Sequence, residues 1–223
     1  FEMARDSGSF STWSEALGVL LRWGYPEVAD AIFKVRGNQA SPKVALEASR
    51  VSMALGRFDE VEERLLEGVQ LAQDPSTYVK QAAELLEQSG RTMAVARFRE
   101  RTRLLLPPGP QEDQLLGLAL LRAGRQEDGH RILDGLATTG RAGLLLAARA
   151  FGDQGYLTRA LELYDEALDQ TSSSGDSLRL SEVVPLLVRA GRTDEIAPWV
   201  ARYVRQDQEP ATLALAASEA LRT

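Results

Sequence analysis

The chain has 223 residues, 44% hydrophobic and 26% charged, with a formal net charge of −6 at pH 7. This composition is typical of an ordinary globular protein, and the acidic balance argues against nucleic acid as the main partner. The sequence contains no cysteine, which excludes disulfides, a thiol nucleophile and cysteine-ligated metal sites. Because its apolar runs are far shorter than a membrane span, we expect no membrane insertion.

Glycines that interrupt apolar helical stretches recur along the chain and predict helix pairs. They stand at Gly24, Gly56, Gly90, Gly124, Gly155 and Gly191, with spacings of 32, 34, 34, 31 and 36 residues. In chain order the predicted pairs are 10–23/26–36, 42–55/58–72, 76–89/92–106, 110–123/126–138, 141–154/157–170 and 178–190/194–206, followed by a lone helix at 211–222. No segment alternates with period two, so strands are not expected.

The predicted helices start with residues that commonly begin helices. Four prolines fall where a predicted helix would start, and proline is tolerated in a first turn: Pro26, Pro42, Pro75 and Pro110. Ser41 and Asp74 precede two of them and are natural N-caps. Pro185 and Pro198 instead fall inside the last predicted pair, so those helices must either begin late or kink.

Small or medium side chains recur at two fixed offsets from each glycine and predict close helix contacts. The seventh residue before each glycine is Leu17, Ser49, Ala83, Gly117, Ala148 or Val184, and the fifth after is Ala29, Val61, Val95, Gly129, Ala160 or Ile196. A larger apolar side chain fills the ninth position after the glycine in five of six copies, and Arg99 fills it in the other.

This pattern resembles the tetratricopeptide repeat, a 34-residue helix–turn–helix unit. Residues 140–171 carry the resemblance best, through Ala148, Gly155, Ala160, Tyr164 and Ala167, and Trp13 occupies the family's tryptophan position. Asp113 departs from the family pattern, which has an apolar residue there. The resemblance implies an all-α, right-handed superhelical solenoid over residues 1–223, with repeats near 9–40, 41–74, 75–109, 110–139, 140–175 and 176–209 and a partial repeat at 210–223.

The same resemblance implies a partner-binding groove lined by the first helix of each pair. Transferring the family's offsets gives Lys43, Leu46, Arg50, Met53, Lys80, Glu84, Gln114, Leu118, Leu145 and Arg149. We expect Lys43, Arg50 and Lys80 to hold an acidic partner segment, and Leu118 and Leu145 to form an apolar anchor. Arg97, Arg99, Arg101 and Arg103 of the segment "RFRERTR" form an alternative surface, which we call the arginine stripe.

Nothing in the sequence predicts catalysis or a cofactor. His130 is the only histidine and is interpreted as a surface or edge residue. The segment "GLATTGRA" (135–142) lacks the Lys and Ser/Thr of a phosphate loop and is interpreted as a turn between repeats. Only three of the 26 basic residues are lysine, and we attribute the excess of arginine to genomic base composition.

We therefore expect a noncatalytic scaffold that binds a protein segment and assembles a larger complex. Two alternatives stay open: the periplasmic part of a bacterial exopolysaccharide exporter, which would contact the polysaccharide, and a sensor domain fused to an effector. The compartment, bacterial periplasm or cytoplasm, is undecided. A seventh turn glycine would fall near position 225, so we interpret the chain as part of a longer array that associates end to end.

Overall fold

The structure, a computed structural model, describes residues 10–36, 41–170 and 178–206. In chain order the helices are α1 (Phe10–Arg22), α2 (Pro26–Arg36), α3 (Pro42–Ala54), α4 (Phe58–Leu71), α5 (Pro75–Gln88), α6 (Thr92–Arg103), α7 (Pro110–Arg122), α8 (Gln126–Ala137), α9 (Arg141–Asp153), α10 (Leu157–Asp169), α11 (Leu180–Arg189) and α12 (Ile196–Gln206). These described segments contain no strand. The predicted all-α class and the six helix pairs are confirmed, whereas the predicted helix at 211–222 lies outside the described residues.

Each predicted turn glycine has a backbone conformation that favours glycine. The six φ values lie between 70 and 84°. At Gly155, the N–H donates to the Gly152 carbonyl at 3.1 Å, and the next N–H, of Tyr156, donates to the Phe151 carbonyl at 2.9 Å. These two bonds form a Schellman motif, which satisfies carbonyls left open at the end of α9 and reverses the chain into α10.

The predicted helix starts are confirmed by their caps. The Ser41 hydroxyl accepts a hydrogen bond from the Val44 N–H at 3.2 Å, and the Asp74 carboxylate accepts one from the Thr77 N–H at 3.1 Å. The late-start interpretation is correct for α12, which begins at Ile196 after a 3₁₀ turn, so that Pro198 stands in its first turn. Pro185 lies inside α11.

The paired helices α7 and α8 lie close together at the two offsets where small residues recur. In the pair α7/α8 both offsets are glycine. A Cβ added to Gly129 would lie 2.6 Å from Leu121 Cδ2 and 3.2 Å from the Gly117 carbonyl oxygen. A Cβ on Gly117 would lie 2.6 Å from Leu133. Only glycine fits this crossing without displacing its neighbours, so the small-residue offsets mark the contact between paired helices.

The described helices belong to two compact units, Phe1–Pro107 and Pro108–Thr223. In the first unit each helix packs on the next, and α3 also contacts α1 and α5. In the second unit each helix likewise packs on the next, and α7 contacts α9. Each unit is thus a tetratricopeptide-like stack of helix pairs. The boundary falls between two helix-breaking prolines, Pro107 and Pro108, near the end of the third predicted repeat. A single continuous array and its handedness stay predictions.

Most offset positions that the sequence singles out are buried. Ala160 and Ala83 have no exposed surface, Tyr164 is 1% exposed, and Trp13 is buried against Phe33 with ring centroids 5.6 Å apart. Arg99, which replaces the large apolar residue of the other copies, is also buried. This position is buried in four of the six copies, including the one with arginine, and half-buried at Phe33 and Val200.

The burial of Ala160 predicts a large cost for a bigger side chain. Ala160→Leu should lower the free energy of unfolding by about 1–3 kcal/mol, because the added atoms meet the packed first helix of the same pair. Chemical denaturation measures the change. Thr158→Leu, at an exposed position of the same helix, is the matched control, and equal midpoints for the two variants would contradict the assigned register.

Candidate functional site

A cavity of about 770 Å³ lies in the first unit between the first helices of three successive pairs. Its lining residues come from α1, α3, α5 and the end of α4 with the following loop: Ser14, Ser41, Pro42, Lys43, Leu46, Glu47, Arg50, Leu71, Ala72, Gln73, Asp74, Thr77, Tyr78, Gln81, Glu84, Leu85 and Gln88. The volume is within the range of typical ligand pockets. We call it the α1/α3/α5 cavity.

Four of the predicted groove residues line this cavity, and two others of the first unit do not. Lys43, Leu46 and Arg50 of α3 face it together with Glu84 of α5. Met53 and Lys80 are absent from its lining. The offsets of the repeat family thus include four residues of α3 and α5 that line the cavity and two that do not. Whether any of these residues binds a partner stays a prediction.

The sequence did not lead us to Glu47, the most buried charged residue of the cavity lining. It is only 4% exposed. The Ser14 hydroxyl donates to Glu47 Oε1 at 2.6 Å, and Arg50 Nη1 donates to the same oxygen at 2.8 Å. A buried carboxylate needs such hydrogen-bond partners, because transferring it out of water without them costs free energy. A signal was present: the buried face of α3 is otherwise made of alanine, serine and valine, so its single charged residue stood out.

Tyr78 forms an apolar wall of the cavity because a glycine makes room for its ring. A Cβ added to Gly68 of α4 would lie 1.9 Å from the Tyr78 hydroxyl oxygen. This hydroxyl makes no hydrogen bond with the described residues, and burial raises the pKa of the phenol above its usual value. The phenol therefore remains neutral at physiological pH and adds no charge to the cavity.

Asp74, which also lines the cavity, caps the N-terminus of α5. Oδ2 accepts from the Thr77 hydroxyl at 2.7 Å, while Oδ1 accepts from the Thr77 N–H. These bonds, the hydroxyl first, hold the pKa of the Asp74 carboxyl below its usual value. Both oxygens serve the helix start, so this carboxylate is less available to a ligand than Glu84.

The predicted groove residues of the second unit make contacts within the protein. Gln114 Nε2 donates to the Leu146 carbonyl at 3.1 Å, and Arg149 Nε donates to Glu182 Oε2 at 2.9 Å. Leu118 is 9% exposed and Leu145 is 2% exposed. Neighbouring helices therefore already cover most of these two leucines, and their role as an apolar anchor for a partner stays a prediction.

The arginine stripe is not a continuous cationic surface. Arg99 is buried, 8% exposed. Arg97 Nε and Arg101 Nη1 lie 3.3 and 3.1 Å from the two oxygens of Glu62 on α4, in the preceding pair. Two arginines of the stripe thus pair with a carboxylate of the preceding second helix, and a third lies in the core. Whether the stripe binds a partner stays a prediction.

Arginine–carboxylate pairs between repeats recur in the second unit. Arg159 of α10 lies 2.8 Å from Asp134 of α8, and Arg202 of α12 lies 3.0 Å from Asp165 of α10. The planar, forked guanidinium can engage two acceptors at once, which lysine cannot do in the same geometry. These arginines connect neighbouring repeats, whatever the origin of the excess of arginine over lysine in the composition.

The remaining sequence features have structural positions. His130 is half-buried, with its ring centroid 4.9 Å from that of Phe151 and 4.8 Å from that of Tyr156. The segment 135–142 contains the turn from α8 to α9, as predicted. Over the described ranges, no three His, Asp or Glu side chains cluster as metal ligands would. Likewise, no helix in those ranges combines the length and apolarity needed to cross a membrane.

Comparisons with known proteins assign no family. No family model matches the chain, and neither does any curated protein. A solved structure described as "Functional Characterization of Pseudomonas Aeruginosa pilF" is similar at 12% sequence identity and a TM-score of 0.39, covering 94% of this chain and 96% of that one. A likeness of this degree carries no argument, so the fold assignment depends on the helix packing described above.

The contacts of Arg149 predict a structural role for this predicted groove residue. Glu182 accepts from Arg149 and, at 3.3 Å, from the Tyr164 hydroxyl. Glu182→Gln should lower the free energy of unfolding by about 1–3 kcal/mol, since hydrogen bonds to a charged acceptor are lost and a partly buried guanidinium loses its counter-ion. Thermal and denaturant unfolding measure the loss.

A double-mutant cycle with Arg149→Met separates this pair from other effects. Additive losses from the two substitutions would contradict the assignment and would leave Arg149 available as a groove residue.

Proposed function

We propose that the chain is a noncatalytic scaffold that holds a segment of a partner protein in the α1/α3/α5 cavity. The observation that carries this proposal is the cavity itself, which combines about 770 Å³ of space with polar side chains on separate helices. Lys43, Gln81 and Glu84 are exposed on its lining. Such an arrangement can bind a segment through several weak contacts without any reacting group.

The architecture supports binding of an extended or helical segment. Stacked helix pairs present successive first helices side by side, and repeat proteins commonly bind partners on such surfaces. Here three successive first helices, α1, α3 and α5, contribute to one cavity. A partner segment lying across them would contact three repeats at once, which favours specificity through the combination of contacts.

The two units differ in the side chains that a partner could contact at the predicted groove positions. The predicted groove positions of the second unit carry buried leucines and side chains bonded within the protein. The first unit has exposed polar groups at the corresponding positions. We therefore place the partner site in the first unit. The exopolysaccharide-exporter and sensor alternatives, and end-to-end association, remain predictions from the sequence.

Blocking the cavity tests the proposal. Peptides selected from a random display library on the wild-type chain should lose at least about tenfold in affinity for Gln81→Trp, because an indole at this lining position fills the space that a ligand needs. Titration calorimetry or fluorescence anisotropy measures the affinities, and circular dichroism confirms that the variant keeps its helices.

Gln70→Trp is the matched control, since Gln70 is exposed on α4 outside the cavity lining. Selected peptides should bind this variant as they bind the wild type. Peptides that bind Gln81→Trp with undiminished affinity would show that the partner site lies elsewhere.

A further inference from the structure

The Glu47 carboxylate has one oxygen in use and one available. Ser14 and Arg50 both donate to Oε1, and no other group in the described ranges donates to this carboxylate. A carboxylate offers about four acceptor sites over its two oxygens. Glu47 belongs to the cavity lining and is only 4% exposed. The structure therefore holds a buried, ionisable acceptor with unused capacity beside an open volume.

The charged groups of the cavity lining favour binding of a cation close to Glu47. Glu47, Asp74 and Glu84 supply three carboxylates, against the two cations of Lys43 and Arg50. Arg50 is paired with Glu47, and Asp74 accepts two hydrogen bonds from Thr77. Of the groups that remain, Glu84 adds negative charge and Lys43 adds positive charge at an exposed position.

The burial of Glu47 favours a cation over an anion as the bound group. The attraction between two charges scales inversely with the effective dielectric constant, which is about 20 near partly buried sites and about 80 in water, a difference of about fourfold. Glu47 is buried whereas Lys43 is exposed to solvent. Arg50 offsets part of the Glu47 charge but donates only to Oε1, so Oε2 can still accept a hydrogen bond at this depth, and a cationic donor forms the stronger bond.

We propose that the α1/α3/α5 cavity receives a cationic side chain, arginine or lysine, from the partner segment. Its charged head donates to Glu47 Oε2, the exposed carboxylate of Glu84 adds a second negative charge, and its aliphatic stem packs on Leu46 and Leu85, which line the same cavity. The inference depends on the proposed function and replaces the acidic partner expected from the sequence with a basic one.

Peptide chemistry tests the sign of the charge. Among peptides selected on the wild type and weakened by Gln81→Trp, one arginine or lysine should dominate the affinity. Replacing that arginine with citrulline, or that lysine with norleucine, should weaken binding by about tenfold or more, since a hydrogen-bonded charge pair is lost. These affinities are measured on the wild-type protein, and only the choice of peptides depends on Gln81→Trp, whose helices are checked by circular dichroism.

The protein side of the test uses Glu47→Gln and Glu84→Gln. Glu47→Gln should weaken the basic peptide about as much as citrulline does, and the two changes together should cost no more than either alone. Glu84→Gln, at an exposed position, should weaken it by a smaller factor. Glu63→Gln is the matched control, because Glu63 is exposed on α4 outside the cavity, and its affinity should equal that of the wild type.

The failures of the two proposals are distinguishable. Selected peptides that lose affinity for Gln81→Trp but depend on aspartate or glutamate would overturn the cation assignment and leave the proposed function intact. Equal affinity for arginine and citrulline peptides would overturn it as well. A selection that yields no peptide weakened by Gln81→Trp would contradict the proposed function and this inference together.

Discussion

The close approach of two helices behind a left-handed glycine is the contact on which the rest of the structure depends. At Gly155 two backbone hydrogen bonds close the end of α9 and reverse the chain. The helices so joined touch where side chains are small, as α7 and α8 do at Gly117 and Gly129. Because 3.6 residues complete a turn, fixing this contact also fixes which residues of each helix face the neighbouring repeat and which face away.

That fixed orientation determines which side chains a partner can reach. In the second unit, Gln114 and Arg149 are turned toward the next pair and bond to Leu146 and Glu182. In the first unit the same face leaves a cavity, whose deepest charge, Glu47, is held by Ser14 of the preceding pair. One architecture therefore produces a face filled by its own contacts and a face with space for a ligand.

The features that the sequence predicted well are local ones. The turn glycines, the prolines at helix starts and the caps at Ser41 and Asp74 each act within a few residues, so their consequences can be deduced from the residues themselves. The small-residue offsets were equally informative, because the crossing of a helix pair involves residues about twelve positions apart.

The features that the sequence did not predict depend on contacts between neighbouring repeats. The burial of Leu145 and the pairing of Arg97 and Arg101 with Glu62 involve residues of different pairs. Family offsets identify which residues share a helix face, but they do not say how closely the next pair covers it. Glu47 stood out on its helix, but its contact with Ser14, 33 residues away, could not be deduced from the sequence.

A comparison of two glycines on one helix tests the central packing claim most directly. Gly129 and Gly135 both lie in α8, but a Cβ would meet Leu121 and the Gly117 carbonyl at Gly129 and nothing within 4 Å at Gly135. Gly129→Ala should lower the free energy of unfolding by about 1–3 kcal/mol through overpacking. Gly135→Ala should raise it by about 0.5–1 kcal/mol, as alanine does in an open helix position. If urea unfolding showed that both variants are stabilised equally, the close crossing of paired helices would be contradicted.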